Sequence, residues 1–182
     1  MIKVAMLSFW HVHAKDYAKQ ATEHPETEIV AVWDEIKERG QKEASERGAE
    51  FYENLDELLA REDIGGVIVD TPTNLHHKVI MAAARAGKHI FTEKVIAPTV
   101  QEVNDIIAEV ERAGIKLTVS LPRLNDYYTL AVQDLIAKGV FGQLTLVRTR
   151  LSHNGALPND TSSDGWLPGH FFTTWSSAAA EP

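Results

Sequence analysis

Cysteine is absent from all 182 residues, which excludes disulfides, thiolate nucleophiles and cysteine-based zinc sites. No apolar run approaches the roughly 20 residues that a membrane-spanning helix needs. No Lys/Arg cluster is present either, and the formal charge of −8 with a pI near 5.4 argues against a nucleic-acid surface. Met1 leads directly into the apolar run Val4 to Leu7, without the charged and apolar regions of a secretory leader. These absences predict a soluble, cytoplasmic protein with neither membrane nor nucleic acid as partner. The length accommodates one doubly wound domain of ordinary size, with a remainder too short for a second independent one.

What is present is organised around Gly65 to Val95. Val67, Ile68 and Val69 form a β-branched run without polar alternation, as suits a central parallel strand covered on both faces. Asp70, Thr71, Pro72 and Thr73 stop it. Helical spacing then brings Val79, Ile80, Ala83 and Ala84 to one face, Gly87 terminates the helix, and His89 to Thr92 reads as a second strand. A right-handed crossover would set Thr71 to His76 beside Glu93 and Lys94 at the carboxyl edge of the sheet, where open α/β folds bind ligands.

The same alternation runs from Lys3 to Ser120. Strands are predicted at Lys3 to Leu7, Glu28 to Trp33, Glu50 to Tyr52 and Ile115 to Ser120. Helices are predicted at Ala14 to Glu23, Glu35 to Gly48, Asn54 to Arg61 and Val100 to Ala113. Short connections between them predict a Rossmann-type parallel sheet with helices on both faces, over residues 1–120.

The first turn, Ser8-Phe9-Trp10-His11-Val12-His13, stands where a dinucleotide-binding domain carries its phosphate-binding glycines, yet it contains none. Phosphate must therefore be held differently, by the free N–H groups and positive dipole end of the first helix. Phe9 and Trp10 are expected to fill the pyrophosphate path or stack beside adenine. Asp34 ends the second strand, about where an acid accepts both hydroxyls of an adenosine ribose and repels a 2′-phosphate. This favours NAD over NADP, with Lys37 and Arg39 softening the preference. Alternatively, Asp34 caps the following helix.

After Ser120 the pattern changes. Pro122 and Arg123 leave the sheet, a helix is expected from Asn125 or Asp126 to Lys138, and Gln143 to Ser152 is an extended run that needs partner strands. Residues 121–182 thus read as the incomplete beginning of an α+β substrate and oligomerisation domain. Trp166, Phe171, Phe172 and Trp175 have no visible core to enter.

The segment Gly87-Lys88-His89-Ile90-Phe91-Thr92-Glu93-Lys94 resembles the glucose-fructose oxidoreductase, inositol dehydrogenase and rhizopine-catabolism (Gfo/Idh/MocA) family. That family carries Glu-Lys-Pro after this strand; here Val95 replaces the proline. Thr71-Pro72-Thr73-Asn74-Leu75-His76 is similar to the family's Thr-Pro-x-x-x-His turn, Asp34 to its ribose acid, and His13-Ala14 to the pair opening its first helix. Ser120 to Arg123 resembles the passage into its substrate domain, and Gly139 to Gly142 its "GxxG" turn. The resemblance covers about Ile2 to Ser152.

It implies an NAD- or NADP-dependent oxidoreductase moving hydride between nicotinamide and a secondary alcohol of a sugar, cyclitol or polyol, in a homo-oligomer joined through its C-terminal sheet. It further implies that Lys94 holds the reacting hydroxyl and helps transfer its proton, while Glu93 and the Thr71 to His76 turn border the nicotinamide. The implied cofactor contacts are Ser8, Phe9, Trp10, His11, His13, Asp34, Thr71, Pro72, Asn74, His76, Glu93, Lys94 and Arg123. A lysine serves as a proton relay when its surroundings lower its ordinary pKa of about 10.4, and its ammonium stabilises a developing alkoxide. Glu93 serves equally as a simple ion-pair partner for Lys94. The family's second catalytic pair, Asp and His, has no counterpart in Thr173 to Pro182, which leaves a non-catalytic nucleotide-binding relative, or a half-protein needing a partner, as alternatives. His11 and His13 could be drawn as metal ligands with His76 or His77, but no acidic or cysteine partner lies beside them in sequence, so no metal is expected.

Overall fold

A computed structural model of the chain describes residues 1–150 and Ser152. Its elements are β1 (Ile2–Leu7), α1 (Ala14–Glu23), β2 (Thr27–Trp33), α2 (Lys37–Arg47), β3 (Glu50–Tyr52), α3 (Leu55–Leu59), β4 (Ile64–Val69), α4 (Thr73–Arg85), β5 (His89–Thr92), α5 (Val100–Ala113), β6 (Leu117–Val119) and α6 (Tyr127–Ala137). The described residues fall into two compact units, divided between Val119 and Ser120.

In the first unit the six strands are ordered β3-β2-β1-β4-β5-β6, every neighbouring pair parallel. The sheet is therefore doubly wound, and the order in which strands are added reverses between β1 and β4, the topological switch point where such sheets open a crevice at their carboxyl ends. The apolar runs that predicted central strands are buried on both faces. Leu7, Val67, Val69, Val79, Ile80 and Ile106 belong to one core cluster, and Val4, Met6, Ala14, Ala18 and Val32 to the other.

Local chemistry fixes the boundaries. Thr99 and Glu102 form a reciprocal capping box at the start of α5. Gly40 lies where α2 crosses the end of β2, and a Cβ there would stand 2.5 Å from the Phe51 ring and 2.7 Å from the Asp34 Cβ, so only glycine permits this approach. Lys88 is buried and donates to the carbonyls of Arg61 and Ile64, at 2.6 and 3.0 Å, fastening β5 at the rim opposite the crevice. α2 starts at Lys37, two residues later than predicted, because the Asp34 carboxylate first turns the chain by accepting from the Ile36 N–H at 2.8 Å. Asp34 is thus not its N-cap; Ile36 is.

The second unit opens with a 3₁₀ turn, Pro122–Asn125, and continues into α6, none of whose residues is buried. The extended run predicted from Gln143 forms no strand over its described residues, because no described segment of this unit pairs with it. The segment 153–182, with the aromatic residues noted above, lies outside the described residues. Among the described residues no helix is long and apolar enough to cross a membrane.

Candidate functional site

The carboxyl ends of β1, β2, β4 and β5 carry most of the residues singled out from sequence. Ser8 follows β1 directly and adopts φ +78, the left-handed region usually left to glycine. The turn therefore keeps a glycine-like backbone without a glycine. Ser8 is fully buried, and its Oγ accepts from the Trp10 N–H at 3.0 Å and from Arg39 Nη2 at 3.4 Å. Phe9 differs from expectation: its ring packs inward with the Val4, Met6 and Ala18 cluster, under the Arg47 guanidinium at 4.6 Å, because the left-handed Ser8 turns the next side chain toward the apolar core. It neither fills a pyrophosphate path nor stacks on adenine; only its backbone N–H faces the site, donating to Asp34 Oδ2 at 2.9 Å. Trp10 stays half-buried, its ring centroid 6.2 Å from that of His11. The N-cap His13 side chain makes no capping bond to α1, so its dipole end still faces an anion, although the Ala14 N–H is taken by the His11 carbonyl at 3.1 Å.

Asp34 is buried, and its acceptor capacity is filled. Beyond the N–H groups of Phe9 and Ile36, Arg39 grips it in two-pronged fashion, Nε to Oδ2 at 2.8 Å and Nη2 to Oδ1 at 2.7 Å. A carboxylate offers about four lone-pair positions, so ribose hydroxyls reach Asp34 only as Arg39 yields. Burial of the guanidinium works against its charge, but the bonds and charges of Asp34 and Glu35 outweigh it and hold Arg39 above its ordinary range. Next to this pair opens a cleft of about 650 Å³ lined by Trp33, Glu35, Leu55, Leu75 and Val79, apolar walls of the kind a flat heterocycle enters. Glu35 Oε2, buried on that side, has no hydrogen-bond partner among the described residues.

At the β4 and β5 ends the polar groups are deeper. Asp70 is fully buried with neither carboxylate oxygen bonded, and desolvation, with repulsion from Glu93 second, pushes it up to about 8. Thr71 Oγ1 is likewise buried and unbonded. Pro72 sits at the N-cap of α4, Asn74 is exposed on its first turn, and His76 is buried. His76 latches two loops, its Nδ1 2.7 Å from the Val95 carbonyl and its Nε2 3.0 Å from that of Thr71. Desolvation lowers its pKa despite those carbonyls, and a neutral ring donates to one of them only. His77 lies on α4 with Nε2 3.7 Å from Asp105, away from the other histidines' partners.

Glu93, fully buried, is the hub. Its Oε1 accepts from the Tyr17 hydroxyl and lies 2.7 Å from His13 Nδ1 and 3.6 Å from His11 Nδ1, while Oε2 accepts from the Lys94 N–H at 2.8 Å. Burial disfavours its charge, yet the bonds from Tyr17 and His13 prevail and hold it below the usual carboxylate range. Desolvation lowers His11 to about 4, against the pull of Glu93. Contrary to the expectation from sequence, His11 and His13 do have an acidic partner, Glu93, brought to them from the end of β5. Lys94 is half-exposed, with Nζ 3.8 Å from Glu93 Oε2, and its peptide bond to Val95 is cis. Arg123 belongs to the second unit, where it pairs with Asp126 and Tyr128. Sequence reasoning missed Tyr17 and Asp70; the four-residue step from His13 to Tyr17 along one helix face was the available signal for the first.

A sheet that reverses at β1/β4, a glycine-like turn onto an uncapped helix, an apolar cleft beside Asp34 and Glu93-Lys94 closing β5 together fit a dinucleotide. Residues 3–121 match the Gfo/Idh/MocA family, described as an oxidoreductase family with an NAD-binding Rossmann fold. The chain belongs to that family. Among its relatives, 1,5-anhydro-D-fructose reductase of Ensifer adhaerens is 31% identical over 132 residues, 72% of this chain and 39% of that one. Inositol 2-dehydrogenase of Rhizobium meliloti is 32% identical over 146 residues, 80% of this chain and 44% of that one. Among solved structures, a 3-ketoreductase from Actinomadura kijaniata in complex with NADP and TDP-benzene superposes with a TM-score of 0.67 at 26% identity, over 76% of this chain and 43% of that one. The chain thus spans about two fifths of the length of these relatives. Its first unit is an NAD-binding Rossmann domain of this family.

Proposed function

We propose that this Gfo/Idh/MocA chain serves an oxidoreductase that moves hydride between NAD(P) and a secondary alcohol of a sugar or cyclitol, with Lys94 acting on the reacting hydroxyl. The observation that carries the reading is the meeting of Glu93-Lys94 with the Ser8 to His13 turn and the Thr71 to His76 turn at one carboxyl edge. Relatives named for anhydrofructose and inositol support the substrate class.

In this reading the first-turn N–H groups of α1 hold the pyrophosphate, the cleft at Trp33, Leu55 and Val79 takes adenine, and Glu35 and Asp34 meet the adenosine ribose. When bound, the nicotinamide supplies the hydride acceptor and donor. Thr71, with its unbonded hydroxyl, orients a polar group on that side. Lys94 Nζ, held near Glu93 but half open to solvent, hydrogen-bonds the substrate oxygen and passes its proton to water as alcohol becomes ketone. His76 keeps Lys94 in place through the Val95 carbonyl.

Titrating the protein with NAD and NADP should change tryptophan emission, because Trp10 and Trp33 border the site. A polyol screen in the presence of the tighter cofactor should then reveal turnover. Lys94→Ala is expected to lower turnover by about 10²–10⁴-fold while dinucleotide affinity stays within about threefold; full turnover by that variant would refute the assignment of Lys94.

A further inference from the structure

We infer that His11, His13 and Glu93 form a binding site for one divalent transition-metal ion of the zinc class. The three donors come from two loops 80 residues apart in sequence, yet their ligand atoms all lie within 4.8 Å of one another. The two imidazole centroids are 4.9 Å apart. A tetrahedral ion with bonds of about 2.0–2.1 Å places its ligand atoms about 3.3 Å apart. His11 Nδ1 and Glu93 Oε1 already stand 3.6 Å apart, and metal would replace two hydrogen bonds, the 2.7 Å contact between His13 and Glu93 and the one His11 Nδ1 accepts from the His13 N–H at 3.3 Å.

Two further observations point to a cation there. Asp70 places a second fully buried carboxyl at the end of the neighbouring strand, and neither of its oxygens has a hydrogen-bond partner among the described residues. The backbone also joins them, since the His11 N–H donates to the Asp70 carbonyl at 3.1 Å. Two imidazoles and one carboxylate thus converge at one strand edge, and the ammonium ion-paired with Glu93, that of Lys94, is half-exposed with Nζ 3.8 Å away. Glu93 is further oriented by the Tyr17 hydroxyl, the kind of supporting bond that holds a ligating carboxylate in place. Two histidines and one glutamate leave a fourth position open, as in zinc sites that bind water or a substrate oxygen rather than in closed structural ones.

The inference stands on these residues and not on the proposed dehydrogenation, so metal binding is measured without dinucleotide. The full 182-residue chain, stripped with chelator and dialysed, is titrated with Zn²⁺ by calorimetry and with Co²⁺ by visible d–d absorption. About one equivalent of either metal is expected, with the intense bands of low-coordinate cobalt. His13→Ala, at a partly exposed position that tolerates truncation, should weaken binding at least about 100-fold, Tyr17→Phe about 10-fold, and His24→Ala should leave it unchanged. Failure to bind, or a stoichiometry and affinity that His13→Ala leaves intact, would overturn the site and mark any bound metal as an adventitious ion only.

Discussion

The two ends of the crevice satisfy their buried acids in opposite ways. At the β2 end, Asp34 receives two backbone N–H groups and both prongs of Arg39. At the β4 end, Asp70 is equally buried and receives none, so its proton remains until about pH 8. Each acid follows a strand and precedes a helix, but α2 returns Arg39 to Asp34, whereas α4, capped by Pro72, has neither lysine nor arginine in its first turn. An acid matched by its own chain is a structural knot that ligand must loosen. An acid left unmatched keeps its proton instead.

The largest effect that would sharpen this contrast is on stability. Because the folded-state pKa of Asp70 lies above its unfolded value, its contribution is intact below about pH 4 and is lost as pH rises through about 8. Asp70→Asn should therefore make urea-unfolding free energy less dependent on pH, gaining on the order of 2–4 kcal/mol over the parent at pH 8. The comparison is run with chelator present; parallel curves for the two proteins would show that Asp70 ionises as freely as Asp34. Next in size is the other end. Arg39→Ala frees acceptor positions on Asp34 and removes the one guanidinium bound to it, so NADP affinity should fall about 10-fold while NAD affinity holds or improves in the same fluorescence titration. A loss of both cofactors alike would mean that Arg39 merely braces the turn. The smallest effect is expected from Ser8→Gly: relief of about 1 kcal/mol of left-handed strain is offset by the lost Oγ acceptor. Stability should move by less than about 1 kcal/mol in thermal melts, with dinucleotide binding tightened a few-fold.

Much of this site was legible in the sequence. The alternation of β-branched runs with helical spacing placed Thr71, His76, Glu93 and Lys94 near one edge, because strand ends in a parallel sheet follow from the elements themselves. The fate of Phe9 was not, since the backbone at Ser8 takes a conformation its residue type rarely adopts, and that choice sends the next ring inward. Nor was the filled state of Asp34, which depends on α2 starting two residues late so that Arg39 folds back. The grouping of His11 and His13 with Glu93 required knowing that β4 separates β1 from β5 by a single strand, a fact of sheet order that spacing alone does not encode.

The position of β1 in that order carries a consequence for how the protein is made. Its partners on either side are synthesised at different times, β2 within the first 33 residues and β4 only by residue 69. A nascent chain that has emerged only as far as α3 lacks the strand that flanks β1 on its other side. The pocket comes into being only when the polypeptide has passed Lys94, so nucleotide can assist the maturation of this protein late on the ribosome and not at its beginning.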